Sequence, residues 1–477
     1  VNTTFNLSQK LQAVQGRTGM AVRWTGWAAI SVATAVVAIH SAVAGTVAPI
    51  ALFTAIAAAG ILLSGRLSRL DGSLFALSFG VACSCATAIL YLYLDRFGVP
   101  YMSGGTDDAT FDVDAVRVAQ QVTSYDRAEV NWLSSYVYAH NSLGYIYFLS
   151  LIVRLGDALG GYDTLMPRIA NCGFLAMSCV LIRRCGLLIG FDRDRATRCA
   201  LWVALFPAMW FSAAHVFRDA ITSWMLVTAL FLALLMLQRR SGTWTVCLAA
   251  FAIATLCAAM AEFRTSYCVP ICAMPITALT ARLARVRAIK ARHLAYGVLI
   301  MVPVLWAAWQ TEAIQHAQEQ VTRYQSAFFA AAEAGENTGL SARLFSLPMP
   351  VQIPARVAYA TVTPLPVIYQ QLEWNALAIG TVVQFFAAPF VLVGAVAARR
   401  DTRYLLVLLG FIVLFYSYVQ GTFSFRHILA WFPFAVLLGS IGYSRIYGHR
   451  WKVWSSCAAI LFLSGIAYLM LKDITIA

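Results

Sequence analysis

Long apolar runs of about 15 to 25 residues recur along this chain, separated by short polar connections, and that length suits helices crossing a hydrocarbon layer ~30 Å thick. The pattern predicts spans at 24–45, 47–65, 73–94, 166–182, 199–215, 219–237, 243–260, 265–281, 293–310, 375–398, 404–420, 427–444 and 453–471. A transmembrane barrel is excluded, because its strands would be ~10 residues long and alternate in polarity. The run from Trp24 to Ile50 leads directly into a second one, so it reads as a span rather than a removable leader.

Two stretches depart from the pattern. Asn141 to Gly156 is apolar and aromatic but short, and is expected to be a re-entrant or steeply packed helix. Segments 95–140 and 311–374 are long and are expected to lie outside the membrane. In the first, Phe111, Val113, Val116, Val118 and Ala119 interleave with Asp112, Asp114, Arg117 and Gln120, which predicts a short amphipathic helix with Asp112 and Asp114 on its solvated face. In the second, Pro348, Pro350, Pro354, Pro364 and Pro366 favour short surface helices over a span.

Composition agrees with a membrane protein: 60% of the 477 residues are hydrophobic and 12% are charged, far from the soluble range. The net charge of +14 sits mostly in short connections. Lys10, Arg17 and Arg23, then Arg66 and Arg69, Arg183 to Arg198, Arg239 and Arg240, Arg282 to Arg292, Arg399 to Arg403 and Arg445 to Lys452 all fall on one side if there are about 13 spans. Basic connections mark the cytoplasmic side, so the N-terminus is expected inside, the C-terminus outside, and both long segments outside. The basic charge therefore needs no nucleic-acid partner. A nucleotide-driven pump fits poorly, since no Gly-rich phosphate loop is present. The cysteines fall mainly inside apolar runs, where they act as small hydrophobes. The expectation is one all-α polytopic domain, 1–477, multi-pass in a bacterial cytoplasmic membrane, with 95–140 and 311–374 capping an outward-facing cavity.

Ionisable residues gather at the ends of apolar runs on that outer side. Charges near hydrocarbon are costly, so a clustered set points to function. Asp107 and Asp108 follow a glycine turn and could take a proton from a hydroxyl, hold a divalent cation against a phosphate, or simply cap the next helix. Arg218, Arg264 and Arg426 sit in short outer turns where arginine is disfavoured, which suggests an anionic ligand; interfacial anchoring is the alternative for each. Asp219, His427, His215 and His140 are their candidate companions, and Glu262 belongs to the same charged set. His40, with no acid nearby in sequence, reads as a packed residue hydrogen-bonded across helices.

In layout the chain resembles the polytopic glycosyltransferases of the GT-C superfamily, bacterial surface-polysaccharide and glycolipid enzymes included. The resemblance rests on Gly104-Gly105-Thr106-Asp107-Asp108, on Asn141-Ser-Leu-Gly-Tyr-Ile-Tyr and Tyr162-Asp-Thr-Leu-Met-Pro-Arg168, on Phe217-Arg218-Asp219-Ala220, and on Phe425-Arg426-His427 with Phe432-Pro433. It implies a GT-C-like fold and inverting transfer of a sugar from a polyprenyl phosphate or pyrophosphate to a glycan or lipid acceptor, with Asp107 or Asp108 as base and the arginines on the phosphate. A lipid-linked polysaccharide polymerase or ligase would use the same outer arginines without needing either carboxylate as base. A flippase would need polar groups along the membrane path, and these are scarce.

Overall fold

The computed structural model describes residues 2–105, 107–134, 142–238, 241–285, 347–361, 372–420 and 425–460. Among them every regular element is helical and none is a strand. The main helices are α1 (Asn2–Ala44), α2 (Ala48–Leu67), α3 (Arg69–Phe97), α4 (Asp107–Gln121), α5 (Arg127–Leu133), α6 (Leu143–Ala158), α7 (Leu165–Leu188) and α8 (Arg193–Leu205). They continue with α9 (Pro207–Ala213), α10 (Asp219–Met236), α11 (Thr243–Arg264), α12 (Cys268–Arg285), α13 (Met349–Thr361), α14 (Leu372–Ala397), α15 (Thr402–Gln420) and α16 (Ile428–Arg445).

Nine helical segments among the described residues are long and apolar enough to cross a membrane, which makes this a multi-pass membrane protein. One of them, Thr243–Arg282, folds back on itself at Thr265–Tyr267. Cys257 Sγ lies 3.2 Å from Cys272 Sγ, whereas a continuous helix would separate residues 15 apart by about 22 Å. The expected span at 293–310 lies outside the described residues, and that at 453–471 is described only to 460.

The expected span at 199–215 does not run as one continuous helix. It is a broken helix, with 13 residues in α8 and 7 in α9. The break is at Phe206, whose ψ of 124° is extended because the ring of Pro207 disfavours helical geometry in the residue before it.

The bundle has two unlike ends. At one, Asp71 at the start of α3 binds Arg183, at 2.6 Å, and Arg184 near the end of α7. There too Arg195 donates to Ser440 Oγ at 2.7 Å, Arg282 donates to the carbonyls of Met236 and Ser241, and the Arg403 guanidinium lies against Gly190. The described basic connections thus gather at one end, as their spacing predicted. At the other end, Arg168 in the first turn of α7 donates to the carbonyl of Pro100, just past α3.

Short α6 both starts and finishes at this second end. Ser142 before it meets Arg218, while Gly161 after it accepts a bond from Thr46 in the α1–α2 turn. It packs against α4 and does not cross the bundle. Its apolar face, Tyr145, Ile146, Leu149 and Val153, is buried.

Glycines set the closest helix approaches. A methyl group at Gly80 would meet the backbone of Ala29 at 2.5 Å, and one at Gly26 would meet the Ser73 carbonyl at 2.5 Å, so α1 and α3 touch main chain to main chain. Gly394 and Gly442 do the same for α14 and α16, where an added methyl would collide with the carbonyls of Leu438 and Phe390. Association through small residues is the usual solution where lipid supplies no hydrophobic drive between helices.

Candidate functional site

The segment linking α3 to α4 is pinned before it delivers Asp107. Gly98, with φ 69°, ends α3, and Gly104 and Gly105 have φ 83° and 125°, conformations that side chains rarely adopt. Between them Pro100 is held by Arg168, the Tyr101 hydroxyl donates to Asp112 Oδ2 at 2.6 Å, and the Met102 N–H donates to Asp108 Oδ2 at 2.9 Å. Asp108 also accepts from the Ala109 N–H at 3.0 Å and is fully buried. Adjacent carboxylates therefore differ in kind: Asp108 anchors the turn, while Asp107, 32% exposed, faces outward and pairs with Arg426 at 2.6 Å.

Three arginines from three connections converge here, Arg426 of that pair among them. Arg218, leading into α10, donates to Ser142 and, at 3.1 Å, to the carbonyl of Phe263. Arg264, closing α11, donates to Asp219 at 2.7 Å and to His427 Nε2 at 2.9 Å, and lies over the Tyr267 ring. Arg426 lies 4.9 Å from the centre of the Phe217 ring. Because a guanidinium can only donate, His427 Nε2 is the acceptor in its bond to Arg264. Burial, with the charges of Arg264, Arg426 and Arg218, holds His427 well below its ordinary pKa, so the imidazole is neutral.

Behind the arginines lies a buried polar layer. Asp112 accepts the hydroxyls of Tyr101 and Tyr162, and Asp114 accepts Ser134 Oγ at 2.7 Å. Both carboxylates are buried, which overturns the expectation that they form the solvated face of α4. Burial raises the pKa of Asp112 against the lowering effect of the two tyrosines, and burial with the Asp112 charge raises those of Tyr101 and Tyr162. Arg168 is fully buried within range of the Asp108 and Asp112 charges. His215 is also fully buried, with Nδ1 2.7 Å from the Phe211 carbonyl and Nε2 3.0 Å from the Tyr93 hydroxyl. Burial and the nearby Arg168 charge lower its pKa to about 4.

Of the residues singled out from sequence, Asp107, Arg218, Asp219, Arg264, Arg426 and His427 meet. Asp108 lies one layer beneath them and His215 behind Phe217, whose ring it stacks on. His140 lies outside the described residues. Glu262 forms its own contacts at the rim, accepting from Tyr125 Oη at 2.5 Å and Arg127 at 2.8 Å. His40 does find an acid, supplied by the loop before α7: Asp163 lies 3.1 Å from its Nε2 and the Tyr91 hydroxyl 3.1 Å from its Nδ1.

The sequence reading missed the Tyr101–Asp112–Tyr162 unit. A signal existed, since Asp108, Phe111, Asp112 and Ala115 follow helical spacing and share the buried face of α4. Among the described residues no three His, Cys, Asp or Glu side chains gather as metal ligands. The chain matches no known family model, and no curated protein is significantly similar to it.

Proposed function

We propose that the protein is an inverting glycosyltransferase of GT-C type, moving a sugar or oligosaccharide from a polyprenyl-linked phosphate or pyrophosphate to a glycan or lipid acceptor outside a bacterial cytoplasmic membrane. The observation that supports this is the convergence of Arg218, Arg264 and Arg426 around a neutral His427, with the accessible carboxylate of Asp107 touching one of them. Such a cluster at the end of an apolar bundle suits a lipid whose chain lies in the membrane and whose phosphate sits at its edge.

Asp107 takes the proton of the acceptor hydroxyl as that oxygen attacks the anomeric carbon. The bond from anomeric carbon to phosphate oxygen breaks, and the lipid phosphate leaves with the electron pair. Arginine donors beside it stabilise the growing charge. The activated donor supplies the energy, so no nucleotide is consumed. Arg426 is the phosphate contact in this scheme. Asp219 and His427 hold Arg264 in place, and Arg218 is oriented by Ser142 and the Phe263 carbonyl.

The test is transfer by the purified protein in lipid nanodiscs, supplied with lipid-linked sugars and outer-envelope glycans extracted from bacteria, followed as release of polyprenyl phosphate or pyrophosphate. Asp107→Asn should cut release by about 10² to 10⁴, and Arg426→Lys should weaken it by losing the planar fork. Undiminished transfer by both Asp107→Asn and Asp108→Asn would sink carboxylate catalysis and favour a polymerase or ligase. Lipid movement across the bilayer without cleavage would favour a flippase.

A further inference from the structure

Resting on that phosphate reading, we propose that Asp107 is the resting counter-ion of Arg426 and that the donor phosphate displaces it, so that donor binding itself frees the base. Asp107 Oδ2 occupies Arg426 Nη2 at 2.6 Å, the position that a phosphate oxygen would take. The two groups therefore compete for one guanidinium.

Geometry makes this pair the exchangeable one. Its members are 32% and 23% exposed, whereas Asp219 and Arg264 are 5% and 16% exposed. Arg426 also rests on the Phe217 ring, a contact that does not depend on Asp107 and keeps the guanidinium in place when the carboxylate leaves. On the other side, Asp107 follows Gly104 and Gly105, while the Asp108 anchor to Met102 holds the rest of the turn. Asp107 can thus swing without dismantling the segment that carries it.

The exchange changes what the carboxylate can do. Paired with Arg426, its Oδ2 is held 2.6 Å from the guanidinium and is not offered to an incoming hydroxyl. Displaced by the phosphate, that oxygen can accept the hydrogen bond of the acceptor hydroxyl. The acceptor proton then passes to Asp107 only when the donor is seated, the acceptor oxygen bonds to the anomeric carbon, and the departing phosphate takes the electron pair towards Arg426. At the guanidinium, one anion thus replaces another.

The experiment measures binding of farnesyl phosphate to the full chain in neutral-lipid nanodiscs. Removing the internal competitor in Asp107→Asn, and in Asp107→Ser as a second variant, should tighten binding about fivefold. That gain should vanish in an Arg426→Ala background, and Arg426→Ala alone should weaken binding. Unchanged or weaker binding by both Asp107 variants, with Arg426→Ala still weakening it, would overturn the exchange and leave the phosphate reading standing. Binding indifferent to Arg426, or no binding by any form, would overturn both.

Discussion

Asp219 and Arg264 form a 2.7 Å ion pair that is nearly out of water and joins the first turn of α10 to the last turn of α11. The other branch of the guanidinium holds His427, so one side chain fixes three connections. Arg264→Ala would leave the Asp219 charge in a poorly hydrated place without this partner. It should lower stability by about 3 kcal/mol, read as an earlier thermal unfolding in detergent, and adding Asp219→Asn should recover part of the loss. Equal melting of Arg264→Ala and wild type would show the brace to be dispensable.

Asp107 and Asp108 should separate cleanly. Asp107→Asn, at the exposed edge, should melt like wild type while transfer falls by about 10² to 10⁴. Asp108→Asn keeps one acceptor oxygen and weakens the anchor on Met102 and Ala109, so it should destabilise by about 1 to 2 kcal/mol. The opposite pattern, with Asp108→Asn stable and inactive, would move the base to Asp108.

Acid should destabilise the protein below neutrality. His215 and His427 have folded pKa values depressed below the ordinary ~6.5, by burial and nearby arginines. Their contribution is therefore present above pH ~6.5, where both states are neutral, and is lost as pH falls because the unfolded chain takes up protons first. For His215 the loss runs from about 6.5 down to about 4, at no more than ~1.4 kcal/mol per pH unit. Asp112, raised by burial, acts in the opposite sense at the acid end of this window. Melting at pH 7.5 and pH 5 should show a drop that His215→Gln reduces. A pH-independent melting temperature would reject the assignment of both imidazoles as neutral.

Gly394 and Gly442 should tolerate no side chain. Each sits where an added methyl would strike a backbone carbonyl of the partner helix. Gly442→Ala and Gly394→Ala should each cost about 1 to 3 kcal/mol through forced separation of α14 and α16. Gly45, which has open space around it, is no substitute control because its φ of 70° strains any side chain. Gly65, helical and with nothing close to its added methyl, is the proper comparison. Comparable melting of all three alanine variants would refute the close approach.

Much of the membrane body was legible because the requirement is one-dimensional. Apolar runs near 20 residues must be helical in hydrocarbon, since no water is there to satisfy the backbone. The basic connections at Arg183, Arg282 and Arg403 were likewise placed at a common end by counting runs between them. Pro207 was visible in the same way, but its consequence was not. A proline opens a new helix or ends an old one according to what packs around it, and here it divides α8 from α9.

What sequence alone determined, then, was the membrane class, the helical content and the identity of the charged residues near run ends. Tertiary structure decided which of those charges meet. It joined Asp107 to Arg426 and Asp219 to Arg264, set Asp108 beneath the turn, and turned Asp112 and Asp114 inward to meet Tyr101, Tyr162 and Ser134. Apolar periodicity is read from neighbours a few positions along the chain, whereas a buried carboxylate is permitted only by donors that arrive from distant helices. Those donors have no signature at the position they satisfy, so the pairing of charges could emerge only once the helices were packed.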